Sequence, residues 1–487
     1  MAQYELLAQQ ILLMLREMSS KPKKISHFVA ADIPKKNHFA MALTAKQVSR
    51  LNSSLWADSS ATLVGTELID SEFDVAIIGG GFSGLWTAYH LLTLKSELKI
   101  AVFEARNFGF GASGRNGGWA SSDYPVYRPT LEKRHGIEKT NSLFEALTAA
   151  INEIGSFATK HAAESHFVKA GTIMFARNKA QEKRLQAMTD DLHSWKNADE
   201  LGSSIKISGA RGGLFNPECA TVNPMGLLQG IFQYLKNSGV VLIENAFATP
   251  VPNGVLVNSR LVKSRIVIQA TEVYGDPGRN FIPLYSQMVA TEPLPKEVWD
   301  EIGISERFTF AEGSHLINYA QRTADSRIAI GGRGATYPFG SKLKNNKEMT
   351  KAVHENIRNL AKSWFPILEN YEFTHAWGGA VAITRDWEPY VQFDKSTGFG
   401  RLGGYAGDGV TMSYLASKIL ACLITEQNNP ITKLHFVNRK TRNWEPEPLR
   451  YFAVNTLVKL SGVADKEEAI TRRPSVVSKI IEPLILR

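Results

Sequence analysis

Gly79, Gly81 and Gly84 stand at fixed spacing between an apolar run and a helical one in "FDVAIIGGGFSGLWTAYHLL", Phe73 to Leu92. A glycine at the first position permits a tight turn, and one at the second lets bare backbone approach a pyrophosphate. The third lets the helix pack closely on the strand. The anion then meets a helix N-terminus, where unpaired N–H groups and the positive dipole end attract it. Glu104 follows about twenty residues after Gly84, where a carboxylate accepts hydrogen bonds from both ribose hydroxyls and repels a 2′-phosphate. A tight turn beside a surface glutamate accounts for the glycines alone. Strand, loop, helix, strand and acid in this order point to a dinucleotide.

The elements that must hold these groups are legible nearby. "FDVAIIGG" reads as a buried strand, "SGLWTAYHLLTLK" as a helix and "KIAVFEA" as a second strand, the order a parallel sheet requires. "MGLLQGIFQYLKNSG" is a helix ended by Gly239 and followed by the strand "VVLIENA". "GVLVNS", "RIVIQAT", "SQMVATEPL" and "RIAIGGRG" are further strands, and "KEMTKAVHENIRNLAKSWFP" is a helix stopped by Pro366. A second glycine-rich loop, "FGRLGGYAGDG", precedes the helical "VTMSYLASKILACLI".

The stretch "GASGRNGG", Gly111 to Gly118, resembles the loop of the D-amino-acid-oxidase-like flavoproteins, the family of sarcosine, glycine and gamma-glutamylputrescine oxidases. The resemblance runs from about Ser54 to Glu426, through "ATVNPMGLLQGIFQYLKNSGVVLIENAFATPV", "VIQATEVYG", "AWGGAVAITRDWEPYV" and "GGYAGDGVTMS". The tail looks closest to gamma-glutamylputrescine-oxidase-like members. The resemblance implies a Rossmann-like FAD-binding domain of the glutathione-reductase type 2 kind. This α/β domain would be interleaved with an α+β substrate domain on a mixed sheet. The corresponding division is an N-terminal arm (1–70), a discontinuous FAD-binding domain (71–125, 205–275 and 375–426), a substrate domain (126–204 and 276–374) and a helical tail (427–487).

The residues implied to hold FAD are Gly79, Gly81, Phe82, Ser83 and Gly84 at the first turn, with Glu104 and Ala105 at the next strand end. Gly111, Ser113, Arg115, Asn116, Gly117 and Gly118 would follow the pyrophosphate and ribityl chain, and backbone at Val251 would meet the adenine. Ala270 and Thr271 end a neighbouring strand. Gly404, Gly407, Asp408, Gly409, Val410 and Thr411 would close on the flavin N1–C2 carbonyl edge. The family implies hydride transfer from a C–H beside an amine nitrogen to flavin N5, giving an imine that water hydrolyses. Arg333, Trp377 and Asp386 are the candidate catalytic residues.

The departures from the family bear on substrate. Asp408 stands where many relatives have histidine, and Val381 where glycine-oxidase-like members place a carboxylate-clamping arginine. Arg333 and Arg385 are possible substitutes. The strand "RIAIGG" lacks the lysine of sarcosine-oxidase relatives, which leaves oxygen and a separate electron carrier open as acceptors. Cys219 and Cys422 match no covalent-flavin position, so noncovalent FAD is expected, and no metal site is. Rival readings are a flavin enzyme acting on a modified tRNA base, a flavin-binding protein without turnover, and an NAD-dependent dehydrogenase.

The whole composition narrows the class. The 487 residues are 44% hydrophobic and 21% charged, long enough for two domains or one elaborate one. The net charge is +9, and residues 431–487 carry 11 Lys and Arg against 6 Asp and Glu. No dense basic cluster with interleaved aromatics marks a nucleic-acid face. Two distant cysteines suit a reducing, cytoplasmic setting. "ELLAQQILLMLREM" would form a short amphipathic helix, too short to span a bilayer, and Met41 is a plausible alternative start that makes residues 1–40 a dispensable extension.

Overall fold

The computed structural model describes residues 54–485, apart from 59, 61, 62, 276 and 277. The expected N-terminal helix and the region around Met41 lie outside the described residues.

Two eight-stranded sheets organise the chain from Asn52 onward. The first runs in the order Tyr390–Asp394, Phe399–Gly403, Arg260–Gln269, Glu72–Ile78, Ile100–Phe103, Val241–Ile243. Along this path the pairings are parallel, except that the edge strand Tyr390–Asp394 runs against its neighbour. Parallel strands are covered on both faces, so Val75, Ala76 and Ile77 are all fully buried despite alternating direction. The helices Phe82–Leu94, Pro224–Asn237 and Gly409–Ile424 pack beside this sheet. A hairpin, Ala248–Val251 and Gly254–Val257, adds two antiparallel strands to the N-terminal half of Arg260–Gln269.

The second sheet is mixed, in the order Phe373–Thr384, Phe281–Thr291, Ile328–Arg333, Asn318–Arg322, Thr309–Glu312, Thr172–Ala176, Gly212–Asn216, Ser194–Asn197. Its own apolar core includes Phe175, Phe310 and Trp364. Two of its strands, Gly212–Asn216 and Phe373–Thr384, come from segments that the sequence groups with the first sheet. Phe373–Thr384 returns the chain: it pairs along Phe281–Thr291, then turns at Asp386 into Tyr390–Asp394 of the first sheet. The tail holds two helices, Leu449–Thr471 and Val476–Ile485. Among the described residues, no helix is long and apolar enough to cross a membrane.

Candidate functional site

The first glycine loop sits at the C-terminal end of Glu72–Ile78, where doubly wound sheets bind ligands. Gly79 has φ +112°, and a Cβ there would stand 2.4 Å from the Ala270 carbonyl oxygen. On Gly84 a Cβ would stand 2.0 Å from the Gly79 carbonyl oxygen, and on Gly81 it would be 2.7 Å from Ser113 Oγ. Only hydrogen fits at these places. The helix Phe82–Leu94 has no side-chain cap from Gly81, and the Phe82 N–H donates to Ser113 Oγ at 2.9 Å. Glu104 follows Ile100–Phe103 and accepts from the Gly80 N–H at 2.8 Å and the Arg106 N–H at 2.9 Å. Burial raises its carboxyl above the ordinary range, partly offset by those two N–H groups.

The loop Gly111 to Gly118 lies beside this turn, but two of its side chains differ from expectation. Asn116 folds back, donating to the Ser113 carbonyl at 2.8 Å and accepting from the Gly118 N–H at 2.8 Å. Arg115 pairs with Glu348 at 2.9 Å and stacks over Phe110 at 4.5 Å. These side chains hold the loop's shape, leaving its backbone as the surface for a ligand. Val251 is not brought to the site. It pairs with Gly254, which faces Lys263, which faces Glu72 at the start of the first strand. Gly79 lies seven residues further along, roughly 20 Å away at the usual strand rise. Backbone close to Glu104 comes instead from Ala246, whose N–H donates to the Glu104 carbonyl at 2.8 Å.

The second glycine loop follows Phe399–Gly403, and Gly403, Gly404 and Gly407 all have positive φ. The sequence reading missed Glu272, which anchors this loop. Its carboxylate accepts from the N–H groups of Gly404 at 3.1 Å, Tyr405 at 3.3 Å and Ala382 at 3.0 Å. One half-buried acid therefore ties the end of Arg260–Gln269, the return strand and the second loop together. Burial pushes it up to about 7, against the pull of those N–H donors. Asp408 is the N-cap of Gly409–Ile424 but makes no side-chain cap, and Val410 and Thr411 are buried in its first turn. Ser83 and Tyr405 link the two glycine loops at 2.8 Å.

The three candidate catalytic residues do not converge. Trp377 is fully buried and donates its indole N–H to the Arg115 carbonyl at 3.0 Å, with Trp56 edge-on at 6.0 Å. It braces the Gly111 to Gly118 loop. Asp386 forms a bidentate pair with Arg439 at 2.8 and 3.1 Å, the role of a turn anchor. Arg333 ends Ile328–Arg333, donates to the Ala406 carbonyl at 2.6 Å and lies 5.7 Å from the Trp387 ring. Of the three, only Arg333 stands at the second glycine loop. Trp387, missed in the sequence, packs there against the apolar cluster that includes Ala406, and Tyr319, also missed, lies beside the Gly111 to Gly118 loop. Tyr319 contacts the spaces over Gly117 and Gly331 and bonds Ser286 at 2.6 Å.

The cradle has the chemistry of a polar, anionic ligand site. Tyr274 Oη, Thr411 Oγ1 and Trp119 Nε1 are buried without a hydrogen-bond partner. Buried polar groups are normally paired, so these are groups that a bound molecule would satisfy. The fit is to a dinucleotide: glycine backbone for the pyrophosphate, Glu104 for a ribose, and the second loop for a flavin edge.

A separate grouping, His135, Glu388 and His435, has atoms within 4.8 Å of one another. Arg134 already holds Glu388 Oε1 at 2.9 Å, and both imidazoles lie 3.1 Å from Oε2. Burial works to raise the Glu388 carboxyl, but His435 and His135 outweigh it and hold it at about 2. The arrangement is that of an ion-paired staple.

The sequence model described as DAO, FAD dependent oxidoreductase, matches residues 74–423, a span that contains both glycine loops and the return strand. The chain belongs to this family. A probable oxidoreductase OrdL of Haemophilus influenzae is 27% identical, over 72% of this chain and 82% of its own length. The gamma-glutamylputrescine oxidoreductase of Escherichia coli is 25% identical, over 72% and 83%. Among solved structures, glycine oxidase from Geobacillus kaustophilus superposes with a TM-score of 0.63 at 16% identity, covering 76% of this chain and all of that one. The DAO-type fold expected from the sequence is thus the fold observed, and the family's members are FAD-dependent enzymes acting on amines or amino acids.

Proposed function

We propose that this protein oxidises a C–N bond of an amine or amino-acid derivative, using FAD held without a covalent bond. The observation that carries the reading is the pairing of two glycine loops at the C-terminal ends of one parallel sheet, joined through Ser83 and Tyr405. FAD, when bound, would supply a two-electron acceptor for oxidation at the carbon beside the amine nitrogen, giving an imine that water would hydrolyse.

Each protein group then has a limited task. Gly79, Gly81 and Gly84 admit the pyrophosphate to the helix N-terminus, and Glu104 receives a ribose. The N-terminus of Gly409–Ile424 would stabilise negative charge on a flavin held at the second loop. Asp408 at that end opposes such charge when its carboxylate faces inward. Arg333 offers a cation for an anionic or polar end of the substrate, a task that Val381 cannot perform. The reactive amine must be neutral to release its lone pair, so turnover rises with pH through the amine's own titration.

Buried Cys219 supports noncovalent binding. Burial pushes its thiol up to about 12, far from nucleophilic, and Cys422 is buried in the helix Gly409–Ile424. Acid precipitation should release all of the flavin into the supernatant; yellow colour retained on the protein pellet would contradict this. The function itself is tested by incubating the FAD-loaded protein with polyamines, N-methyl amino acids and amino acids and assaying aldehyde or keto product. Product from an amine supports the reading, and no product from any of them, with an artificial electron acceptor supplied, overturns it.

A further inference from the structure

The family match ends at residue 423, yet the chain continues through two helices that return to the turn beside the second glycine loop. The last helix, Val476–Ile485, ends there. Carbonyls in a helix's final turn have no intrahelical donor, and these find two partners. Trp387 donates its indole N–H to the Ile485 carbonyl at 2.8 Å, and Arg385 reaches the Leu484 carbonyl at 3.4 Å. Earlier tail residues grip the same turn: Glu445 pairs with Arg385 at 3.0 and 3.2 Å, and the Trp444 indole donates to the Ile383 carbonyl at 2.9 Å.

Trp387 is the residue that this grip positions. Its backbone has φ +66°, a region in which a bulky residue is a true outlier. Such strain persists where the surroundings over-determine it, and often where the side chain has a task. Its ring lies 5.7 Å from the Arg333 guanidinium, which in turn holds the Ala406 carbonyl of the second glycine loop. The tail, the strained tryptophan, Arg333 and the loop thus form one connected wall.

We propose that the C-terminal helices, acting through Trp387, form the outer wall of the substrate site and set the girth of the amine admitted. This rests on the amine-oxidation reading above. Trp387 is a specificity residue, and the tail positions it. With the wall in place, slender aliphatic amines fit beside Arg333 and amines with a bulky nitrogen substituent do not.

The test compares the FAD-loaded full chain with a chain ending at Arg473 and with Trp387→Phe, which keeps an aromatic ring but removes the indole N–H and narrows the side chain. Hydrogen exchange is followed in residues 384–389, and kcat and KM are measured for a linear diamine and its N-benzyl derivative. Both variants should speed exchange in that turn and raise the kcat/KM ratio of bulky to slender amine by about tenfold. An unchanged ratio overturns the proposal, whether or not exchange speeds up, because the tail is then only a brace. Should the shortened chain fail to fold, Trp387→Phe decides alone. If the full chain oxidises neither amine while binding FAD, the amine-oxidation reading falls and takes this inference with it, an outcome distinct from active variants with unaltered selectivity.

Discussion

Gly84 is the residue where sequence and coordinates constrain each other most tightly. A Cβ placed 2.0 Å from a carbonyl oxygen forces the helix Phe82–Leu94 away from its strand. Gly84→Ala should therefore cost about 1–3 kcal/mol or more in overpacking. It should also yield protein with little bound FAD, read as the ratio of visible to protein absorbance. Glu104→Gln is milder: losing a charged acceptor should weaken FAD about tenfold or more, measured by titrating apoprotein with FAD. Glu272 gives a pH prediction. Its folded-state value of about 7 lies above the ordinary 4.5, so its contribution to stability is full below about 4.5 and is lost as pH rises through about 7. Glu272→Gln should flatten the fall in melting temperature across that window; an unaltered slope would show that another group is responsible. The glycines and Glu104 were legible because their chemistry is local to one strand–turn–helix. Arg115 and Asn116 were recognised as special, but their partners were not. Glu348 lies 233 positions from Arg115, and no spacing rule links them.

Strands and helices were legible as elements, and less so in their pairing. "ATPV" forms a strand, but register decides what it reaches, and the hairpin carries Val251 to the wrong end of the sheet. Phe373–Thr384, most of which the sequence groups with the FAD-binding domain, belongs by hydrogen bonding to the second sheet. The tail shows how an element outside the family match is fastened. Glu468, almost fully buried, takes Arg184 at 3.0 and 3.2 Å and His315 at 2.9 Å. Burial opposes its ionisation, but His315 and Arg184 prevail and hold it at about 2. A folded value below the ordinary 4.5 means that this fastening is full above about 4.5 and is lost as pH falls toward about 2. Amide exchange in Leu449–Thr471 should accelerate over that acid range before the glycine-loop helix opens. Arg184→Met should bring the same acceleration at neutral pH, since breaking one partner of a buried pair costs about 3–5 kcal/mol. Simultaneous opening of both helices at every pH would contradict a separately fastened tail.

At the scale of the whole molecule, one chain passes between two sheets so that the loops of the first face strands of the second. Composition bounded this only as an ordinary globular protein of more than one layer. The resemblance of "GASGRNGG" and its companion stretches supplied the rest, and the family match over residues 74–423 bears it out. The substrate remained illegible because the residues proposed to face it, Arg333 and Trp387, come from a strand end and a separate turn that only folding brings together. The central claim is that an amine gives its electrons to FAD held between the two glycine loops. Anaerobic mixing of the FAD-loaded protein with a panel of polyamines, N-methyl amino acids and amino acids tests it most directly, by following the visible flavin absorbance. Bleaching by at least one amine, faster as the pH is raised through that amine's titration, is the predicted result. A yellow protein that no amine bleaches, yet which dithionite reduces normally, would contradict the account.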